Sequence, residues 1–235
     1  MLQPVVSDLD LYPDSDGQPM ADNTEQYQWI VRLVSNLRIL LKDQTALVAG
    51  DLLWYPLQVQ EEGAQPPSQA PDVMVVLGRP GGYRGSYKQW QEQGVAPQVV
   101  FEIISPSNSV SEFGKKQNFY SQYGVLEMYF YDPLSYAFWG LVRDCSDASF
   151  HLITPLNLPW VSPILKIRFE MFEDGLSVFY PTGEIFQDPE ALGAERNAAR
   201  EERDAAREER DAAREERDRA WSKLRELGID PSTLE

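Results

Sequence analysis

Val99-Val100-Phe101-Glu102-Ile103-Ile104 is a continuous apolar run with a single acid inside it. A strand exposed on one face alternates apolar and polar residues, so a run without alternation fits a strand covered on both faces. A charged side chain is rarely placed in such surroundings without a partner or a metal. Glu102 therefore decides the reading. A second run of the same kind, Val73-Met74-Val75-Val76-Leu77, lies upstream, and Asp72 opens it directly after Pro71. Downstream, past the Ser105-Pro106-Ser107-Asn108 turn, a helix is predicted over about 111–123. It carries Lys115 and Lys116, with Lys116 on one face with Glu112, Tyr120 and Tyr123.

Two acids on neighbouring strands and a lysine on the next helix suit one chemistry. Carboxylates hold Mg2+ or Mn2+, which prefer oxygen ligands. Such an ion activates water and neutralises charge on the leaving group of a phosphodiester. The expectation is a metal-dependent nuclease with Asp72 and Glu102 as metal ligands. Other chemistries have little to work with. The chain has one cysteine, Cys145, which excludes an intrachain disulfide and a cysteine zinc site. Its one histidine, His151, would have to serve any histidine-based site alone. A paired-acid sugar hydrolase has only the aromatics Tyr83, Tyr87 and Trp90 in its favour.

The chain has 235 residues, 37 acids against 21 bases, and a formal net charge of −16. An acidic protein repels nucleic acid at long range, which weighs against tight DNA binding by surface charge. No basic start followed by an apolar stretch marks a signal peptide. No run approaches the ~20 apolar residues of a membrane span. The expected location is the cytoplasm, with no membrane partner.

Pro4, Pro13, Gly17, Pro19 and several aspartates make residues 1–20 read as a loose arm, of which 1–15 is a flexible arm ahead of the domain. Trp29, Ile30, Leu33, Leu37, Leu40 and Leu41 then recur at helical spacing, giving an amphipathic helix over about 24–43. Strands are expected over 47–56, 73–77, 99–104, 128–131, 138–142, 149–153, 164–169 and 176–179. Strands interleaved with few helices point to an α/β or α+β class with a mixed sheet. Residues 78–97 form a long excursion between the acid-bearing strands, and Arg79, Arg84 and Lys88 in it are the expected phosphate contacts.

The set resembles the PD-(D/E)xK nuclease superfamily, and within it the Uma-two family of restriction-endonuclease-like proteins. The residues that carry the likeness are Gly17-Gln18-Pro19-Met20, Pro71-Asp72-Val73, Val99 to Ser107, Lys116 with Tyr120 and Gly124, and Glu127 to Pro133. It spans about residues 15–180. The superfamily lysine stands two residues after the second acid, where this chain has Ile104. In Uma-like relatives the lysine sits on the following helix, four residues before a Tyr and eight before a Gly, which fits Lys116 and not Lys115. The resemblance implies Asp72 and Glu102 as ligands of Mg2+ or Mn2+ and Lys116 as the catalytic lysine. It also implies Glu25 as an accessory acid, a restriction-endonuclease-like central mixed sheet flanked by helices over 16–185, and a homodimer, but no known substrate; DNA is the partner expected from the nuclease reading itself. Asp51, beside an apolar strand, is a further candidate ligand.

After residue 190 the composition changes. Ala-Ala-Arg-Glu-Glu-Arg-Asp recurs with a period of seven from 198 and predicts a charged helical tail over 190–228, either a solitary solvated helix or a coiled coil. Such a tail also suits a different class of function, a catalytically silent scaffold of the same fold.

Overall fold

Asn23 starts the first helix. Its side chain accepts from the Gln26 N–H, and helix α1 runs Thr24–Leu40. The computed structural model describes residues 11–59, 65–107 and 109–226, which fall into two compact units dividing between Asp188 and Pro189. In the first unit the strands are β1 Ala46–Gly50, β2 Trp54–Tyr55, β3 Val73–Leu77, β4 Tyr87–Lys88, β5 Val99–Ile103 and β6 Glu127–Asp132. They continue as β7 Ala137–Val142, β8 His151–Ile153, β9 Trp160–Val161, β10 Arg168–Phe172 and β11 Gly175–Phe179. Helix α2, Val110–Gln122, crosses between the parallel pair β5 and β6.

The main sheet has six strands in the order β1-β3-β5-β6-β7-β8. Every neighbouring pair except β5 and β6 is antiparallel, so the class is mixed α+β as expected. Period-two alternation sends Val73, Val75, Val99, Phe101 and Ile103 to one face, where Trp29, Ile30, Leu33 and Leu37 of α1 and Phe169, Leu176 and Val178 of the second sheet cover them. Met74, Val76 and Val100 go to the other face, with Tyr120 of α2, Trp54 and Tyr87. Cover on both faces is the reason the two acid-bearing runs do not alternate.

Four expectations need correction. The strand expected over 47–56 breaks at Asp51, whose φ of 48° turns the chain out of the sheet. The strand expected over 164–169 starts later: Lys166 has a φ of 60°, and regular pairing begins at Arg168. The arm expected over 1–15 is docked where it is described. Tyr12 is buried against Tyr55 and Trp90, and the Tyr55 hydroxyl donates to the Pro13 carbonyl. The excursion over 78–97, expected to hold no strand, carries β4 parallel to β2 and a short 3-10 turn, Gln89–Glu92. The arm residues 1–10 and loop residues 60–64 lie outside the described residues.

The second unit is one helix, α3, Pro189–Glu226, with no buried residue. Among the described residues no helix is long and apolar enough to cross a membrane.

Candidate active site

Antiparallel pairing of β3 with β5 sets Val73 opposite Phe101. Continued by one residue, the register places Asp72 beside Glu102, and both follow the alternation to the face that α2 covers. Asp72 turns its carboxylate onto the end of β5, where Oδ2 accepts from the Ile103 N–H at 2.6 Å. Gln26, buried on α1, donates through Nε2 to the Ile103 carbonyl at 2.9 Å and also bonds the Asp72 carboxyl. Its Oε1 accepts the Asp22 N–H at 2.8 Å. Three segments distant in sequence thus lock around one peptide.

Glu102 is 2% exposed, and both of its oxygens are engaged from α2. Lys116 Nζ donates to Oε2 at 2.5 Å, and the fully buried Tyr120 hydroxyl donates to Oε1. Lys116 and Tyr120 are four apart on the helix and therefore share a face. A capping box fixes where that helix begins: Ser109 Oγ accepts the Glu112 N–H, and Glu112 accepts the Ser109 N–H at 2.7 Å. Tyr120 is held in turn by its stacked contact with Trp54, 6.3 Å between ring centroids.

The electrostatics follow from this geometry. Burial, with Glu102 adding to it, pushes the Asp72 carboxyl up to about 8. Burial works against the Lys116 ammonium, but Glu102 and then Asp72 outweigh it and raise its pKa. Burial also raises Asp51. Asp22 is lowered by hydrogen bonds from Ser105 and Ser107, the residues of the β5–α2 turn. Beside the pair opens a cleft of 390 Å³ lined by Asp16, Asp22, Asp51, Asp72 and Glu112, with Lys116 as the one basic lining residue among the described residues. Two oxygen-only acids with a deficit of nearby positive charge are a donor set suited to a hard divalent cation. Among the described residues no group of three or more His, Cys, Asp or Glu side chains is arranged to hold a metal, so such an ion would rest on two carboxylates with water and phosphate completing its shell.

Of the residues expected at the site, Asp72, Glu102 and Lys116 come together, and Asp51 lines the same cleft. Glu25 does not join them: it is exposed, and its neighbour Gln26 faces the site instead. Arg79, Arg84 and Lys88 are also elsewhere. The excursion joins the end of β3 to the start of β5, whereas both acids sit at the opposite ends, a strand length of about 14 Å away at ~3.4 Å per residue. Arg84 is bound to Glu92 at 2.6 Å, Arg79 to the Gly78 carbonyl, and Lys88 lies over the Tyr12 ring. Of the three aromatics in that segment Tyr87 is buried, Trp90 packs on Tyr12, and Tyr83 is exposed. Gln26, Tyr120 and Asp22 were not assigned a role from the sequence. Gln26 had left a trace, because it falls on the apolar stripe of α1 with Trp29, Ile30 and Leu33, where a polar residue is out of place.

A mixed sheet that converges two acids and a helix-borne lysine at one strand end defines the nuclease class to which restriction endonucleases belong. The model of the Uma2 (Uma-two) family, described as "Putative restriction endonuclease", matches residues 16–163, and the chain belongs to that family. A crystal structure described as a putative nuclease belonging to DUF820, from Anabaena variabilis ATCC 29413, is similar at a TM-score of 0.46 and 17% identity, over 63% of this chain and 77% of that one. No curated protein matches the chain.

Proposed function

We propose that the chain is an endonuclease hydrolysing DNA phosphodiester bonds, with Asp72 and Glu102 as the ligands of Mg2+ or Mn2+ and Lys116 as the assisting cation. The observation that carries this reading is the buried Glu102, gripped by Tyr120 and by Lys116, which with Asp72 lines an acid-rich cleft. A bound divalent ion would supply an activated water and neutralise charge on the leaving oxygen.

The chain's own residues supply the rest. Tyr120 fixes the Glu102 carboxylate in one orientation, so that its oxygens need no reordering when an ion arrives. Gln26 and the Ile103 N–H do the same for Asp72. Lys116 stays charged because the two acids favour its ammonium, and it places a cation where charge develops on the phosphate. Asp51 stands within the same cleft as an accessory acid.

Plasmid cleavage with Mg2+ or Mn2+ tests the assignment, with EDTA as the blank. Wild type should cut, and Asp72→Ala and Lys116→Ala should lose cleavage by about 100-fold or more. Equal cleavage by all three would remove the site from consideration. Absence of cleavage by wild type would favour a binding protein of the same fold.

A further inference from the structure

The charged tail segregates its charges. In α3 the arginines Arg196, Arg200, Arg203, Arg207, Arg210, Arg214 and Arg217 alternate at spacings of four and three, which keeps them on one side of the helix. At roughly 100° per residue, the glutamates of each repeat, Glu201 with Glu202 and Glu208 with Glu209, fall on the opposite side. A solitary helix stabilised by its own ion pairs would set Glu and Arg three or four residues apart. Within these repeats no glutamate has an arginine at those distances. The arginines pair only with Asp204, Asp211 and Asp218, and the one glutamate that finds a partner, Glu215, does so with Arg219 beyond the last repeat. Among the described residues Glu201, Glu202, Glu208, Glu209 and Glu216 make no ion pair, and like-charged arginines crowd one another at i+3 and i+4. The pattern is poor for a helix alone and complementary to a copy of itself.

We infer that α3 pairs in parallel with the α3 of a second copy of this chain, arginines of one helix against glutamates of the other. The orientation follows from which residues flank each possible seam. Ala206 has Arg203 and Arg210 on one flank, at i−3 and i+4, and Glu202 and Glu209 on the other, at i−4 and i+3. Ala199, Ala213 and Ala220 continue that row at intervals of seven, with Leu192 before them. Ala205, on the adjacent row, has glutamates on both flanks, Glu201 and Glu208 against Glu202 and Glu209, so its row repels any copy of itself. Parallel helices facing across the Ala206 row bring the arginine flank of each against the glutamate flank of the other. Antiparallel helices would oppose arginine to arginine and glutamate to glutamate. The small alanine side chains let the helices approach closely, and the flanking charges select partner and direction, as e and g residues do in coiled coils.

The test uses the full chain with Cys145→Ser and Ala220→Cys, oxidised at low concentration and read as a covalent dimer on a non-reducing gel. Parallel pairing places the two introduced thiols together, and a linked dimer is expected. Glu202→Arg, Glu209→Arg and Glu216→Arg together should abolish it, as should Arg203→Glu, Arg210→Glu and Arg217→Glu together. Mixing these two reversed chains should restore it, which shows that neither set simply unfolds the helix. No linked dimer in the parent, or an undiminished one in either reversed chain alone, would overturn the inference.

Discussion

Asp72→Asn should stabilise this protein while disabling it. In the metal-free state burial, with Glu102 adding to it, pushes the Asp72 carboxyl from its ordinary 3.8 up to about 8. Between those values the folded chain binds a proton that the unfolded chain has released, so stability falls as pH rises through the window. At about 1.36 kcal/mol per pKa unit, the cost at pH 7 is at most about 4 kcal/mol, and at pH 5 about 1.6 kcal/mol. Asparagine keeps the acceptor for the Ile103 N–H, has no proton to bind, and turns its amide toward Glu102. Relaxation around a buried charge offsets part of such a cost, so we expect a gain of about 2 kcal/mol at pH 7. For a chain of this size that is a rise in Tm of about 4–8 °C. The assay is thermal unfolding in EDTA at pH 5, 7 and 8 for both proteins. The Asn variant should gain more at pH 7 than at pH 5 and show no Mg2+-dependent cleavage. A variant less stable than wild type at pH 7, or a difference that does not change with pH, would refute the reasoning.

Tyr120→Phe keeps the ring on Trp54 but removes one donor to Glu102; it should cost about 1–2 kcal/mol in unfolding and weaken Mn2+ binding in calorimetry. Glu127→Ala strips the acceptor from Ser162 Oγ, the Ile164 N–H and the Tyr129 hydroxyl, and should lower stability by about 3 kcal/mol with faster hydrogen exchange over 160–165. Arg84→Gln removes its bridge to Glu92 and a long hydrogen bond to the Gly82 carbonyl, both far from the acids, so cleavage rate and DNA affinity should stay within about twofold of wild type. With divalent ion fixed, DNA affinity should stay flat or rise as monovalent salt goes from about 50 to 200 mM, the reverse of a basic DNA-binding surface, because salt here screens repulsion.

Glu102 was legible because its cost is written into the sequence: an acid inside a buried run demands a partner, and the partner is present in Lys116. Asp72 followed from its place one residue before a strand, since antiparallel register alone brings it to Glu102. What stayed hidden depends on contacts between distant segments. The periodicity of α1 sets Gln26 on the buried stripe and Glu25 off it, but that this stripe reaches Asp72 is set by how α1 lies on the sheet. The excursion's arginines failed for a topological reason. Asp72 opens its strand and Glu102 lies near the end of the next, so the two acids meet only in an antiparallel pair, and the loop joining such a pair lies at the end away from them. The late start of β10 has a local cause. Glu127 and Ser162 capture the Ile164 and Leu165 N–H groups, so the apolar run from 164 gives its first amides to side chains instead of a sheet.

Charge placement joins these features. The helix Pro189–Glu226 carries twelve acids and ten bases, so it is nearly neutral and the deficit of positive charge lies mainly in the first unit. There the bases are largely committed: Arg32 to Asp188, Arg84 to Glu92, Lys116 to Glu102, Arg168 to Glu170, and Arg143 to the carbonyls of Val125, Ser121 and Ser146. A phosphodiester approaching the cleft meets five lining acids and one lysine already held by Glu102. Under the proposed function such a site would favour a phosphate only once a divalent cation had reversed its local charge, which would make ion and substrate binding mutually dependent. An acidic protein of the nuclease class is then consistent with its surface. On the proposed reading, repulsion would suppress binding along undirected DNA and confine affinity to the few ångströms around Asp72 and Glu102, whose carboxylates are already held in place.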